Sequence, residues 1–196
     1  MTVRFIAVLA ASAALAGCVA PIGPVEVTRF HAPQVAALGR GTISVEPGPG
    51  QVPGSLEWQS YQAAVARELV RLGYTEAAPG QGAQVAAVSL ERERFRPDRA
   101  RSPVSVGIGG STGSYGSGVG LGVGINLSGP PPEQVSTRLA VTIRERAASA
   151  NLWEGRADFT VRASSPLAGT SLGAPKLAAA LFKGFPGQSG ETITVK

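Results

Sequence analysis

The stretch VSTRLAVTIRERAASANLWEGRADFTVR, residues 135–162, decides the fold. Each half alternates between apolar and polar residues, which is the period of a strand with one buried face. The short turn AASAN joins the halves, so together they predict an antiparallel hairpin. The predicted inward residues are Val135, Thr137, Leu139, Val141 and Ile143 in the first strand and Trp153, Gly155, Ala157, Phe159 and Val161 in the second.

Further strands and two helices are predicted around this hairpin. Ser55 is a favourable N-cap for a helix that runs through Leu72 and is closed by Gly73. Pro175 is expected to begin a second helix, which Gly184 ends. We therefore expect one α+β domain, residues 25–196, with an antiparallel β-sheet that carries two α-helices on one face. The other predicted strands are 25–30, 42–46, 83–95 and 192–195, and the apolar stripe of the first helix is Trp58, Tyr61, Val65, Leu69 and Leu72.

The N-terminus predicts export and a lipid anchor. The basic start MTVR is followed by the apolar stretch FIAVLAASAALA, which has the length of a signal-peptide core and is too short for a spanning helix. The stretch ends in Leu15, Ala16, Gly17 and Cys18, which is similar to a bacterial lipobox. Cys18 is the only cysteine of the chain, so we expect residues 1–17 to be a lipoprotein signal peptide, Cys18 the lipidation site and 18–24 a tether. The alternative is an ordinary secretory signal that is cut after Ala16.

The composition excludes several kinds of site. With one Cys and one His in 196 residues, the chain has no disulfide framework, no Cys/His zinc site and no Cys–His dyad, and we predict no metal and no cofactor. The net charge is +5 and comes mostly from arginine. His31 is predicted to lie in a loop or at a strand end rather than to act as a catalyst.

The C-terminal part of the chain resembles a known bacterial lipoprotein family. The segments are NLWEGRADFTVR (151–162) and ALFKGFPGQSGETITV (180–195), together with YQAAVARELVRLGY (61–74). They are similar to the family catalogued as domain of unknown function 4136. The resemblance implies an envelope lipoprotein and supplies no catalytic residues.

The glycine-rich segment 103–129 at first resembles a phosphate-binding loop. No register fits Gly-x-Gly-x-x-Gly, and no lysine precedes residue 176, so a nucleotide site is excluded. The one Gly-x-Ser-x-Gly match, residues 109–113, has no following helix former and no later histidine to serve as a base. Aliphatic residues instead alternate with glycine, which predicts a β-hairpin. Two interpretations remain open: a flexible surface insertion, or a surface on which another backbone, a helix or lipid docks.

Five arginines form a second conspicuous group. They are Arg92, Arg94, Arg96, Arg99 and Arg101. One interpretation is a patch for anionic lipid headgroups. The other is a solvated strand face paired with its own Glu91, Glu93 and Asp98. Glu154 and Asp158 are expected to pair across strands with Arg138 or Arg144 rather than to act in acid–base catalysis.

Together these features predict a non-enzymatic lipoprotein of the cell envelope. We expect it to be anchored in the outer membrane, to face the periplasm, and to act as a structural or protein-interaction module with an envelope protein partner. Nucleic acid and nucleotide are not expected partners. The alternative is a binder or carrier of an apolar envelope ligand, such as a lipid, in a groove between helices and sheet.

Overall fold

The structure is a computed structural model of the chain. It describes residues 23–52, 54–98, 104–113, 116–125, 130–148 and 150–196, and for the two segments between 98 and 130 it describes the backbone. The predicted signal peptide, the lipobox, Cys18, Arg99, Arg101 and the ends of the glycine-rich segment lie outside the described residues.

Nine strands and two α-helices make up the described fold. The helices are α1 (Leu56–Arg71) and α2 (Thr170–Leu181), and short 3-10 turns lie at Val35–Ala37 and Pro166–Ala168. The strands are β1 (Val25–His31), β2 (Thr42–Pro47), β3 (Thr75–Glu76), β4 (Gln84–Phe95), β5 (Val104–Gly113), β6 (Gly116–Ile125), β7 (Gln134–Glu145), β8 (Asn151–Arg162) and β9 (Glu191–Val195).

Seven strands form one sheet in the order β3-β2-β4-β7-β8-β1-β9, and β5 and β6 form a separate two-stranded sheet. The α+β class, with two helices and a glycine-rich hairpin, is confirmed. The seven-stranded sheet is mixed rather than wholly antiparallel, because β2 runs parallel to both β3 and β4. The physical reason is the helix between β2 and β4: α1 carries the chain back along the sheet before β4 begins, as parallel neighbours require.

The predicted hairpin forms the centre of the sheet. β7 and β8 pair in antiparallel register, with Leu139 opposite Ala157, and a bulge interrupts the ladder after Ile143. All ten predicted inward residues are buried, as the alternating pattern required. The helices cover this face and supply the other half of the core, including Tyr61, Leu69, Leu177 and Leu181.

The second helix begins earlier than predicted. It starts at Thr170, so Pro175 lies inside it, and it ends at Leu181 ahead of Gly184. Gly173 and Ala174 are buried, and a Cβ at Gly173 would lie 2.8 Å from the carbonyl oxygen of Leu167. Close packing against the preceding turn therefore draws this segment into the helix, which outweighs the one backbone hydrogen bond that Pro175 removes.

Candidate functional site

The candidate site lies at one end of the seven-stranded sheet, which we call the hairpin end. It is defined by Phe95, Gln134 and Arg162, because Phe95 pairs with Gln134 and Gln134 pairs with Arg162. Phe95 ends β4 and Gln134 begins β7, and the chain between them contains β5 and β6. The glycine-rich hairpin therefore leaves the sheet at this end.

The N-terminal tether reaches the sheet at the same end. A Cβ added at Gly23 would lie 2.8 Å from the carbonyl oxygen of Thr160, which is two residues before Arg162. Gly23 follows the predicted lipidation site Cys18 by five residues. The tether that follows the predicted anchor and the glycine-rich hairpin therefore both join the sheet at the hairpin end.

Both helices also begin near the hairpin end, and Arg92 holds them there. Its Nη1 forms an ion pair with Glu57 in the first turn of α1. Its Nη2 donates a 2.5 Å hydrogen bond to the carbonyl oxygen of Ala168, just before α2. Thr170 Oγ1, at the start of α2, donates a 3.3 Å hydrogen bond to Glu57. One arginine thereby ties β4 to the starts of two helices.

Large apolar side chains are exposed at the hairpin end, around the helix starts and at the end of β4. Leu56 is 80% exposed and Val52, in the preceding loop, is 74% exposed. Leu172 in the first turn of α2 is 52% exposed, and Phe95 at the end of β4 is 36% exposed. Exposed apolar residues are unremarkable singly, but several at one end indicate a contact surface. We call Val52, Leu56, Phe95 and Leu172 the apolar rim.

The structure divides the predicted arginine patch. Arg92 is partly buried by its bonds to the helices, while Arg94 and Arg96 are exposed at the hairpin end. Strand alternation places Glu91 and Glu93 on the opposite face of β4 from Arg92 and Arg94. Glu91 and Glu93 therefore face away from Arg92 and Arg94.

The open face of the sheet, opposite the helices, carries a three-residue ion network. Arg138 Nε donates a 2.6 Å hydrogen bond to Asp158, and Arg138 Nη1 lies 3.4 Å from Glu91. These bonds, chiefly the one to Asp158, raise the pKa of Arg138. The cross-strand pairing predicted for Asp158 is confirmed, whereas Glu154 accepts a 2.8 Å hydrogen bond from Asn151. Asp158 and Glu91 therefore have a structural role as ion-pair partners of Arg138.

A shallow cavity of about 310 Å³ opens at the hairpin end. It lies where the tether, β7, β8 and the turn before α2 meet. The lining residues include Gly23, Gln134, Val161, Arg162 and Pro166.

Buried side chains fill the space between the helices and the sheet. Tyr61, Leu69, Leu177 and Leu181 are each at most 1% exposed. Burial raises the pKa of the Tyr61 hydroxyl, although the nearby charge of Arg92 opposes the shift. Tyr61 is therefore a neutral core residue, and the described residues leave no open groove there for a ligand.

Arg29 is a structural residue that the sequence analysis did not single out. It is 1% exposed, its Nη1 donates a 2.8 Å hydrogen bond to Lys183 O, and its Nε lies 3.1 Å from Glu191. It follows Val25 and Val27 on the inward side of β1, so strand alternation in the sequence could have predicted that Arg29 is buried. Trp153 anchors the same C-terminal loop, because its Nε1 donates a 3.0 Å hydrogen bond to Pro186 O.

A second polar cluster lies at the other end of the sheet, where β4 begins and β7 ends. Arg146 pairs with Glu46, and its Nε donates a 2.7 Å hydrogen bond to Gly82 O. Burial would raise the pKa of Glu46. Hydrogen bonds from Gly80, Arg146 and Ser44, with the charge of Arg146, outweigh that effect and lower it to about 2. The cluster fixes the loop after β3 and presents no free carboxylate.

His31 is the last residue of β1, as predicted, and its Nδ1 lies 2.9 Å from Ala32 O. Among the residues that the structure describes, no His, Cys, Asp and Glu side chains form a group of three that could hold a metal ion. Within the same described ranges, no helix is long and apolar enough to cross a membrane.

Comparisons with known proteins identify relatives without assigning an activity. No family model matches the chain. An uncharacterized protein of Zymomonas mobilis is 28% identical in an alignment 215 positions long, which covers 88% of this chain and 80% of the relative. The family resemblance noted in the sequence therefore stays a prediction.

Two solved structures share the fold at low identity. PelC of Paraburkholderia phytofirmans, described as a dodecamer, aligns with a TM-score of 0.50 and 14% identity over 84% of this chain and 99% of its own. A PDZ domain protein of Parabacteroides distasonis aligns with a TM-score of 0.50 and 9% identity. That match covers 88% of this chain, which spans only 39% of the PDZ domain protein.

Proposed function

We propose that this chain is a lipid-anchored protein of the cell envelope, held in the outer membrane by Cys18 and facing the periplasm. Its domain acts as a non-enzymatic structural and interaction module, with the hairpin end of its sheet toward the membrane. The observation that carries the proposal is the common location of the tether and the hairpin. Gly23, the end of β4 and the start of β7 lie at one end of the sheet, so a lipid at Cys18 would hold that end against the bilayer.

The surface of the hairpin end supports this orientation. The apolar rim would contact the interfacial region, and Arg94 and Arg96 would lie among anionic headgroups, each basic residue contributing about 1 kcal/mol near such a surface. A single acyl chain anchors only marginally, whereas several chains at Cys18 would make attachment effectively permanent.

The same geometry favours an interaction module over a carrier of apolar ligands. A carrier needs an enclosed apolar site, whereas Tyr61, Leu69, Leu177 and Leu181 occupy the space between helices and sheet. PelC, which shares this fold, is described as a dodecamer. As part of the proposal, the interaction partners of this chain include further copies of itself.

Cell fractionation of a Cys18→Ala variant tests the anchor. We expect the wild-type protein in the outer-membrane fraction and labelled by radioactive palmitate, and the variant unlabelled in the soluble periplasmic fraction. Val19→Ala is the matched control and should fractionate like the wild type. An unlabelled wild-type protein, or a Cys18→Ala variant that stays in the membrane fraction, would overturn the proposal.

A further inference from the structure

The hairpin formed by β5 and β6 has two chemically different faces. Each strand has ten residues, and they pair in antiparallel register from Val104–Ile125 to Gly113–Gly116. Paired residues share a face, and the face alternates along the strand. One face carries all the aliphatic residues, namely Val104, Val106, Ile108, Val119, Leu121, Val123 and Ile125. The other face consists of glycine and serine alone.

This alternation has the dimensions of a membrane-crossing strand. Such strands need about 9–11 residues at a tilt of about 45°. Ten residues extend about 33 Å along the strand, or about 23 Å along the membrane normal at that tilt, against an apolar band about 25 Å tall. No charged residue occurs between Arg101 and Glu133. Tyr115 lies between the strands in the sequence, where a crossing hairpin would present an aromatic residue to the far interface.

The position of the hairpin in the fold agrees with its pattern. It leaves the sheet between Phe95 and Gln134, at the end that the tether from Cys18 also reaches. It forms its own two-stranded sheet rather than extending the seven-stranded one. An isolated two-stranded hairpin is at best marginally stable in water, so an aliphatic face of this length needs a partner.

We propose that β5 and β6 insert across the outer membrane, with the aliphatic face toward the lipid tails. The inference rests on the proposed function, because the anchor at Cys18 is what holds the hairpin end at the bilayer. The residues between the strands, Ser114 and Tyr115, then reach the outer surface of the membrane.

Insertion requires several copies of the chain. The outer edges of β5 and β6 each leave backbone N–H and C=O groups without a ladder partner, and no water is available to them in the hydrocarbon region. Hairpins of neighbouring copies offer strands of the same length and alternation. Pairing β5 of one copy with β6 of the next continues the aliphatic face around a closed ring, and the glycine and serine face lines its interior.

Cysteine labelling in intact cells tests whether the hairpin crosses the membrane. Cys18 is the only native cysteine and is predicted to be acylated, so an introduced cysteine is the only thiol expected to react with the label. We expect a membrane-impermeant maleimide to label Ser114→Cys in intact cells. The control Ser136→Cys, in β7 of the domain, should react only after the outer membrane is permeabilised. Protection of Ser114→Cys until permeabilisation would overturn the proposal.

Fluorescence quenching tests which face meets the lipid. An environment-sensitive fluorophore is placed at Val106→Cys or Leu121→Cys, and for comparison at Ser105→Cys or Ser111→Cys. The lipidated full chain is then reconstituted in phospholipid vesicles that contain spin-labelled acyl chains. We expect quenching at Val106 and Leu121 and none at the two serine positions. Equal quenching at all four positions would contradict insertion.

Paired charge substitutions provide a matched control within the hairpin. Val106→Asp with Leu121→Asp should abolish intact-cell labelling at Ser114→Cys, whereas Ser105→Asp with Ser111→Asp should preserve it. Each variant is also fractionated beside Cys18→Ala. If Ser114→Cys is protected while palmitate labelling and Cys18-dependent anchoring persist, the inserted hairpin is wrong and the proposed function stands. If Cys18→Ala remains in the membrane fraction, the proposed function itself fails.

Discussion

Glu57, in the first turn of α1, forms an ion pair with Arg92 near the end of β4. The same guanidinium reaches the carbonyl oxygen of Ala168 ahead of α2. The starts of both helices are thereby tied to the strand from which the glycine-rich hairpin continues. Arg92 therefore holds the helix starts, which carry Leu56 and Leu172, against β4.

We predict that Arg92→Gln lowers the free energy of unfolding by about 1–3 kcal/mol, because it leaves Glu57 and Ala168 O without their charged partner. Urea denaturation of the Cys18→Ala protein measures the change. Arg94→Gln, two residues away and exposed, should stay within about 0.5 kcal/mol of the parent. Equal effects of the two substitutions would contradict a structural role specific to Arg92.

Gly155 should tolerate no side chain. A Cβ there would overlap Cη2 of Trp153, whose ring also stacks on Phe182 at 5.3 Å between centroids. We predict that Gly155→Ala destabilises the domain by about 1–3 kcal/mol, because overpacking displaces a ring fixed on two sides. The melting temperature and near-UV circular dichroism report the change. Arg156→Ala, on the exposed face beside it, should leave both signals unaltered.

Glu46 should make stability depend on pH in acid. Its pKa is about 2 in the folded protein against an ordinary value of 4.5, so its contribution is fully present above 4.5 and is lost as pH falls toward 2. We expect it to account for about 2 kcal/mol after allowance for solvent screening. In Glu46→Gln, that part of the decline between pH 4.5 and pH 2 should vanish. Glu76→Gln, an exposed control in β3, should retain the parent's profile.

The apolar rim should strengthen binding to anionic membranes. In the Cys18→Ala protein, Leu56→Ser with Leu172→Ser should weaken partition into anionic phospholipid vesicles by about thirtyfold, since each substitution removes roughly 1 kcal/mol of apolar contact. Vesicle sedimentation measures the partition coefficient. Val70→Ser is the control, because Val70 is exposed at the far end of α1. An equal loss with Val70→Ser would show that the hairpin end has no special part in binding.

Strand alternation and helical spacing were sufficient to predict most elements from the sequence. The inward residues of β7 and β8 and the stripe of α1 follow from local periodicity, because a half-buried element repeats its apolar residues with its own period. The start of α2 was wrong, since Pro175 is a start signal in isolation. Burial of Gly173 and Ala174 overrides that signal, and it depends on residues distant in sequence.

The sequence by itself determined the α+β class and the alternation of aliphatic residues with glycine between 104 and 125. The lipid anchor at Cys18 stays a prediction from the same sequence. Each of these follows from the pattern of residues that are close together in the sequence. Only the tertiary structure decided that Gly23, Phe95 and Gln134 lie at one end of the sheet, and that Arg92 serves the helices while Arg94 stays exposed. The reason is physical: strand order and register bring together residues far apart in the chain, and no local period encodes which strands become neighbours.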